Sequence, residues 1–193
     1  KVGGARYFNG TSDYIDLGTA SALNTGLPVT VDMWLKKTDD TYGWIFSGNN
    51  PTDSGTRYGI SLNATSNITA DQYPPSGGSI ASSTVIEQNK WYHIAVVYDT
   101  SQTYIYINGK LDTQGTAETY SGSTPTKWLG GTRLYPTNSV YFYQGYLDEM
   151  RVSNVARSAE EIRSMYEIGL RTYPVKVEFK ADLQSSNLIA NRE

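Results

Sequence analysis

Apolar and polar side chains alternate along residues 28–37, PVTVDMWLKK, where every second residue is apolar. A period of two predicts a strand with one face in a core. Residues 90–100, KWYHIAVVYDT, and 103–110, TYIYINGK, are rich in the β-branched and aromatic residues of strands, and Asn108-Gly109 predicts a hairpin turn. Shorter strand-like runs cover residues 6–10, 13–17, 43–49, 57–63 and 128–134. Many short strands at this spacing predict an all-β sandwich or barrel.

A helix is predicted only near the end of this pattern. Ser158 is a good N-cap, and Glu161 completes an S-x-x-E capping box. The apolar residues that follow recur with helical spacing on one stripe: Ile162, Met165, Tyr166 and Gly169. We therefore expect one short C-terminal helix that packs on the sandwich, with Gly169 at its C-terminal cap.

The strand predicted just before the helix raises the question of where Asp148 points. Asp148 has the same parity as Met150 and Val152, whereas Leu147 has the opposite parity. A buried Met/Val face would draw Asp148 toward the interior. A buried carboxylate needs hydrogen bonds or a cation, so the pattern predicts a polar or metal contact for Asp148.

The C-terminal residues contain one more alternating run, VKVEFKADL at residues 175–183. We expect residues 1–172 to form one domain, and residues 173–193 either to add an edge strand to it or to lead into a following domain. Because the chain starts at Lys1 without a signal peptide, it is interpreted as a fragment or processed product of a larger multidomain protein.

The amino-acid composition limits the kinds of molecule that this protein is expected to bind. The formal net charge of the 193 residues is −3, which argues against nucleic acid because phosphate binding needs a basic face. No apolar run is long enough for membrane insertion, and the absence of cysteine excludes disulfides and thiolate metal sites. With only 18% charged residues and 16 Tyr, the composition is typical of an extracellular, cell-surface or virion-surface protein.

Several of these segments together resemble a known family. The strand GYLDEMRV followed by SNVARSAEEI is similar to the closing signature of laminin-G-like, concanavalin A-like jelly-roll domains. RYFNG at the start, the WYHIAVVYD and YIYINGK pair, and WLGG also match this pattern, over roughly residues 6–168. The resemblance implies a two-sheet antiparallel jelly-roll β-sandwich. Family members usually carry a further strand upstream, and only five residues precede Arg6.

The resemblance also implies a calcium ion. In this family a calcium often bridges the F-[DN]-G loop and the Asp of the closing strand, which carries over to Asn9, Asp13 and Asp148, with carbonyl oxygens near Gly10 and Thr11. Calcium prefers such oxygen ligands. The alternative is that Asn9 caps the turn and Asp148 accepts backbone hydrogen bonds.

Catalytic motifs are absent from the sequence. His93 is the only histidine, so a structural role is favoured for it, and no G-x-S-x-G nucleophile motif occurs. The E-x-D-x-x-E string of jelly-roll glucanases is missing, and Asp148 and Glu149 are adjacent and therefore on opposite faces of a regular strand. We expect no enzymatic activity.

The leading hypothesis is a non-catalytic extracellular recognition module that binds a glycan or a protein surface, with a structural calcium. Exposed aromatic residues would be the glycan platforms, and the candidates are Tyr42, Trp44, Tyr73, Tyr120 and Tyr135. Two alternatives stay open. One is a structural or assembly domain of a virion, surface-layer or fibre protein, and the other is a glycan-cleaving hydrolase or lyase.

Overall fold

The computed structural model describes residues 4–19, 23, 26–48, 57–73, 79–116, 126–133 and 140–171. These residues form fourteen strands and one helix. In chain order they are β1 (Arg6–Asn9), β2 (Ile15–Gly18), β3 (Val29–Lys37), β4 (Gly43–Gly48), β5 (Arg57–Leu62), β6 (Asn67–Tyr73), β7 (Ile80–Val85), β8 (Tyr92–Tyr98), β9 (Gln102–Ile107), β10 (Lys110–Thr116), β11 (Lys127–Leu129), β12 (Gly131–Arg133), β13 (Val140–Phe142), β14 (Gln144–Ser153) and α1 (Ala159–Leu170).

The strands form two sheets. Sheet A has the order β1-β14-β3-β8-β9-β10, and sheet B has the order β12-β13-β4-β5-β6-β7, with β11 joining β4 to β2. All pairings are antiparallel except a short parallel contact at which Phe142 of β13 lies opposite Trp44 of β4. This confirms the predicted all-β, two-sheet jelly-roll β-sandwich with one short C-terminal helix.

The main core lies between the sheets and follows the alternation seen in the sequence. On β3, Val31, Met33 and Leu35 are fully buried in this core. Sheet B supplies Phe46, Ile60 and other apolar residues that pack against them. Each fully buried side chain of this size contributes on the order of 1.5–3 kcal/mol through apolar burial.

Helix α1 covers part of the outer face of sheet A. Ile162 is fully buried there with Ala95, Val97 and Tyr106, in a second apolar cluster. Tyr166 stacks on Trp34, with ring centroids 5.7 Å apart. The predicted apolar stripe of the helix is thus the face that packs on the sandwich.

The start of helix α1 is as predicted, and its end is not. Ser158 Oγ accepts a hydrogen bond from the Glu161 amide, and Glu161 Oε2 accepts one from the Ser158 amide, which completes the capping box. The helix ends at Leu170 with Arg171 as its C-cap, so the prediction that Gly169 is the cap was wrong. Gly169 is needed for close packing instead, because a Cβ there would lie 2.3 Å from Trp34 Nε1.

A bulge in β14 overturns the predicted direction of Asp148. The register of β14 against β3 shifts between Asp148 and Arg151, and Glu149 has a φ of +50°. Asp148 therefore lies opposite Trp34, on the outer face of sheet A. The side chains that pack toward the core on either side of the bulge are Leu147, Met150 and Val152.

Some strands were missed or misjudged from the sequence. Strand β6 is not among the strands predicted from the sequence, and the run at residues 128–134, predicted as one strand, is two strands broken at Gly130. Gly130 has a φ of +81°, and a Cβ there would lie 2.2 Å from Phe8 Cδ1. Residues 175–183 lie outside the described residues, so their pairing stays a prediction, as does the domain boundary at residue 172.

Candidate functional site

The outer face of sheet B carries no helix among the described residues, in contrast to the outer face of sheet A. On β5, Ile60 and Leu62 point into the core, so Gly59 and Ser61 between them lie on the outer face. Asp71 of β6 lies directly opposite Gly59. The alternation of β5 and β6 therefore assembles polar residues on an open face.

Trp44 lies next to these polar residues. It is directly opposite Ser61 in the pairing of β4 with β5. Its six-membered ring lies above Gly59, where a Cβ would be 2.5 Å from Cζ3 of Trp44. The indole N–H of Trp44 is buried, and Tyr42 lies close enough to be a hydrogen-bond partner of the Trp44 side chain. Trp44 thus provides an aromatic ring that is supported by Gly59 and lies next to the side chain of Tyr42.

The carboxylate of Asp71 is held by two serines. Ser61 Oγ donates to Asp71 Oδ2 over 2.9 Å, and Ser79 Oγ donates to Asp71 Oδ1 over 2.6 Å. Burial raises the pKa of Asp71 above its usual range, while the hydrogen bonds from Ser79 and Ser61 act in the opposite direction. The result is an oriented acceptor whose charged form is partly desolvated.

Tyr42 extends this group at the start of β4. The pKa of Tyr42 is raised to about 12, mainly by burial and to a smaller extent by the charge of the nearby Asp71. Tyr141 meets Tyr42 edge to face, with ring centroids 5.0 Å apart. We refer to Tyr42, Trp44, Ser61, Asp71 and Tyr141 as the sheet B site.

A second aromatic group continues from the sheet B site toward β11. Phe142 is opposite Trp44, and its ring centroid lies 6.4 Å from that of Tyr14. Tyr14 stacks on Trp128 with ring centroids 4.7 Å apart and planes 18° from parallel. Tyr14 is 47% exposed, so this stacked pair reaches solvent.

The residues proposed for calcium lie in two places. Asn9 Oδ1 accepts hydrogen bonds from the amides of Thr11, Ser12 and Asp13, and the Asn9 amide donates to Asp13 Oδ2. Asn9 pairs with Gln144 on β14, four residues from Asp148, which is roughly 13 Å along the strand. The structure thus brings Asn9 and Asp13 together in one turn and places Asp148 elsewhere.

Asp148 lies at the edge of a buried polar layer beneath helix α1. Its Oδ1 accepts from the Glu149 amide, and its Oδ2 is buried without a hydrogen-bond partner among the described residues. Nearby, Nε and Nη2 of Arg151 donate to Oδ1 of the fully buried Asp32 over 2.9 and 2.6 Å. Among the described side chains, no group of three or more His, Cys, Asp or Glu could hold a metal ion.

His93 belongs to the same buried layer. It is fully buried, its Nε2 lies 3.5 Å from Asp32 Oδ1, and its ring packs edge-on against Trp34. Neither ring nitrogen has a hydrogen-bond partner within the described residues. Helix α1 separates His93 from solvent. His93 therefore lies in the buried layer between sheet A and helix α1, and not in the sheet B site.

Comparison of the sequence with protein families identifies its class. The profile of the concanavalin A-like lectin/glucanases superfamily matches residues 9–163. The chain belongs to this superfamily. No curated protein matches the sequence significantly.

Solved structures share the fold of this superfamily member. The CBM40 of a Ruminococcus gnavus IT-sialidase, bound to α2,3-sialyllactose, superposes with a TM-score of 0.67 at 15% identity, over 84% of this chain and 96% of that one. Domain 4 of the Geobacillus stearothermophilus arabinanase AbnA, in complex with arabinotriose, gives 0.65 at 20% identity, over 86% and 78%. A heptameric SAP-like pentraxin from Limulus polyphemus gives 0.63 at 16%, over 83% and 80%. At these identities the likeness shows the fold.

The superfamily fold assembles part of the predicted ligand set. Tyr42 and Trp44 lie together in the sheet B site. Tyr73 is the last residue of β6, and its side chain is not described. Tyr120 and Tyr135 lie outside the described residues. Sequence reasoning missed Ser61, Asp71 and Tyr141. The alternation within residues 57–63 could have placed Ser61 on the outer face, but its partner Asp71 lies on β6, a strand that the sequence pattern did not predict.

Proposed function

We propose that this domain is a non-catalytic carbohydrate-binding module whose sheet B site binds a glycan. The observation that carries the proposal is the position of Trp44, supported from below by Gly59 and placed directly opposite Ser61, which holds Asp71. An aromatic ring next to an oriented carboxylate suits a ligand with apolar C–H faces and hydroxyl groups at its edges.

Each group of the site has a role in this proposal. The ring of Trp44 packs against one face of a sugar. Asp71 accepts hydrogen bonds from sugar hydroxyls, which are stronger for a charged acceptor than for a neutral one. Tyr42 and Tyr141 form the side of the site. The sialyllactose and arabinotriose complexes of the two bacterial modules support this ligand class.

The absence of catalysis is part of the proposal. A retaining glycosidase places two carboxyl groups about 5–5.5 Å apart, and such a pair would perturb each other's pKa. Among the described residues, the groups that shift the pKa of Asp71 besides burial are the hydroxyls of Ser79 and Ser61, and no other carboxylate contributes. A lone carboxylate suits hydrogen bonding to a ligand better than acid–base cleavage.

Calcium binding remains a proposal for the turn at residues 9–13. Asp13 has an oxygen, Oδ1, that accepts no hydrogen bond among the described residues, and backbone carbonyls of the turn are additional hard ligands. Asn9 fits less well, because its Oδ1 already accepts three backbone hydrogen bonds. Asp148 lies too far along β14 to share this ion. We therefore propose a weak site in the turn alone.

The location of the domain, outside the cell, is also a proposal. Among the described residues, no helix has the length and apolar composition needed to cross a membrane. We propose that the domain is displayed outside the cell as part of a larger protein, where a polar, tyrosine-rich surface meets glycans. The CBM40 and the Domain 4 that share this fold belong to a sialidase and an extracellular arabinanase, respectively.

A glycan array tests the proposal, with the wild-type domain applied with calcium and with EDTA. Hits should then be measured by calorimetry in Trp44→Ala, which should lower affinity about tenfold or more as a buried aromatic anchor does. Trp91→Ala is the matched control, since it removes a half-buried indole from the opposite side of the sandwich. Equal affinity in wild type and Trp44→Ala, or an array without hits, would favour a structural or assembly role.

A further inference from the structure

A cleft of about 510 Å³ lies where the β9–β10 hairpin meets helix α1 and strand β7. This volume is within the range of about 300–1,000 Å³ typical of small-molecule sites. Its apolar lining includes Tyr92, Ile107 and Leu111, and Tyr166 of the helix lines it as well. Leu111 is 49% exposed, so an apolar surface at this cleft is open to solvent.

The hairpin turn that forms one wall is rigidly held. Asn108 and Gly109 have φ values of +51° and +74°, and the Asn108 amide donates to the His93 carbonyl over 2.8 Å. The His93 amide donates to Asn108 Oδ1 over 3.0 Å. A Cβ at Gly109 would lie 3.0 Å from Cδ1 of Tyr166, so the turn fits closely against the helix. Asn108 Nδ2 is left as a donor without a partner among the described residues.

The acidic residue of the cleft already has its hydrogen bonds. Asp112 accepts from the amide and hydroxyl of Thr84, from the amide of Ser83 and from the hydroxyl of Thr113. Burial raises the pKa of Asp112, but these hydrogen bonds outweigh it and hold the pKa below its usual range. Asp112 therefore stays ionised while its oxygens tie β10 to β7.

Of the three side-chain groups in the cleft without described hydrogen-bond partners, the Lys110 ammonium and Asn108 Nδ2 can only donate, and the Tyr166 hydroxyl can donate or accept. Lys110 is exposed and makes no ion pair within the described part of the chain. The hydroxyl of Tyr166 and the side-chain amide of Asn108 also lack described partners. Such a set favours a ligand that supplies acceptors, and a carboxylate is the strongest acceptor for an ammonium and an amide.

We propose that this cleft is a second ligand site, which binds a sugar residue carrying a carboxylate. The carboxylate accepts hydrogen bonds from the Lys110 ammonium and Asn108 Nδ2. The sugar ring packs its C–H face against Tyr166 and Leu111, and its hydroxyls reach the Tyr166 hydroxyl. This site shares no residue with the sheet B site: its lining comes from sheet A, helix α1 and β7, the edge strand of sheet B.

Amide chemical shifts measured by NMR test the proposal, with trigalacturonate as the probe and its neutral counterpart galactotriose as the reference. Trigalacturonate should shift the amides of Asn108, Gly109, Lys110 and Tyr166. Lys110→Gln should weaken this binding about tenfold or more, the loss expected for a charge-assisted hydrogen bond. Arg6→Gln is the matched control, since Arg6 is an exposed cation on β1, at the opposite edge of sheet A.

This experiment tests the proposed cleft site and the proposed sheet B site independently of each other. Shifts confined to Gly59, Ser61 and Asp71 would support the sheet B site and overturn the second site. Binding of equal strength in wild type and Lys110→Gln, or by galactotriose as well as by trigalacturonate, would also overturn it. Cleft shifts that survive in Trp44→Ala and Arg6→Gln but not in Lys110→Gln would support it even if the sheet B site binds nothing.

Discussion

Gly59 provides the space that the ring of Trp44 occupies. The Cζ3 atom of Trp44 would be 2.5 Å from a Cβ at position 59, and the Phe46 carbonyl oxygen would be 3.0 Å from it. Real Cβ atoms do not approach other heavy atoms at the shorter distance, so any side chain at position 59 must displace Trp44. The sheet B site therefore depends on a glycine that makes no ligand contact of its own.

Gly59→Ala should move the Trp44 ring and lower both stability and glycan affinity. Overpacking of this kind typically costs about 1–3 kcal/mol of unfolding free energy. Urea denaturation measures the stability, and calorimetry with an array hit measures the affinity. Gly4→Ala is the control, because nothing lies within 4 Å of a Cβ at Gly4. Unchanged affinity in Gly59→Ala would mean that Trp44 does not contact the ligand.

Ile162→Ala should destabilise the domain by about 2–5 kcal/mol, the usual cost of truncating a fully buried isoleucine. Ile162 is fully buried between helix α1 and sheet A. Ile168 on the same helix is 61% exposed, so Ile168→Ala should change the unfolding free energy by less than about 0.5 kcal/mol. Similar losses for the two variants, measured by urea denaturation, would contradict the packing described for the helix.

The pH dependence of stability should carry a contribution from Asp71. Burial raises its pKa in the folded state, so the folded protein binds more protons than the unfolded chain between the ordinary value of 3.8 and the raised one. Stability should therefore fall as pH rises through this window. Asp71→Asn should remove this fall. Urea midpoints measured across the acidic range check the prediction, and an unchanged profile in the variant would refute it.

Glycan affinity should change with pH in the opposite direction. The ionised form of Asp71 is the stronger acceptor for sugar hydroxyls, so affinity at the sheet B site should rise as the carboxyl loses its proton. Asp71→Asn should bind more weakly than wild type at neutral pH and lose this dependence. Calorimetry at several pH values measures both effects. A parallel rise of stability and affinity with pH would assign the dependence to another group.

Calcium should raise the melting temperature if the turn at residues 9–13 binds it, because a ligand of the native state stabilises by mass action. The increase should be absent in Asp13→Asn, which removes the charge that Oδ1 would provide. Asp148→Asn should retain it, since Asp148 lies elsewhere on β14. A melting temperature that is equal in calcium and in EDTA would show that the turn binds no calcium.

Local features of the fold could be predicted from the sequence because the interactions that create them are local. Ser158 and Glu161 are three residues apart and cap the same helix turn. Asn108 and Gly109 adopt the positive φ values that their types allow at little cost. The alternation of β3 likewise placed Val31, Met33 and Leu35 in the core. These predictions did not need contacts with distant segments.

The candidate site and the direction of Asp148 were decided by tertiary structure. The bulge at Glu149 reverses the parity of β14, and pairing with β3 determines where it occurs. Trp44, Gly59 and Asp71 come from three strands, and only the register of sheet B makes them neighbours. A strand's own sequence fixes which residues share a face, but long-range hydrogen bonding between strands fixes which faces and residues meet.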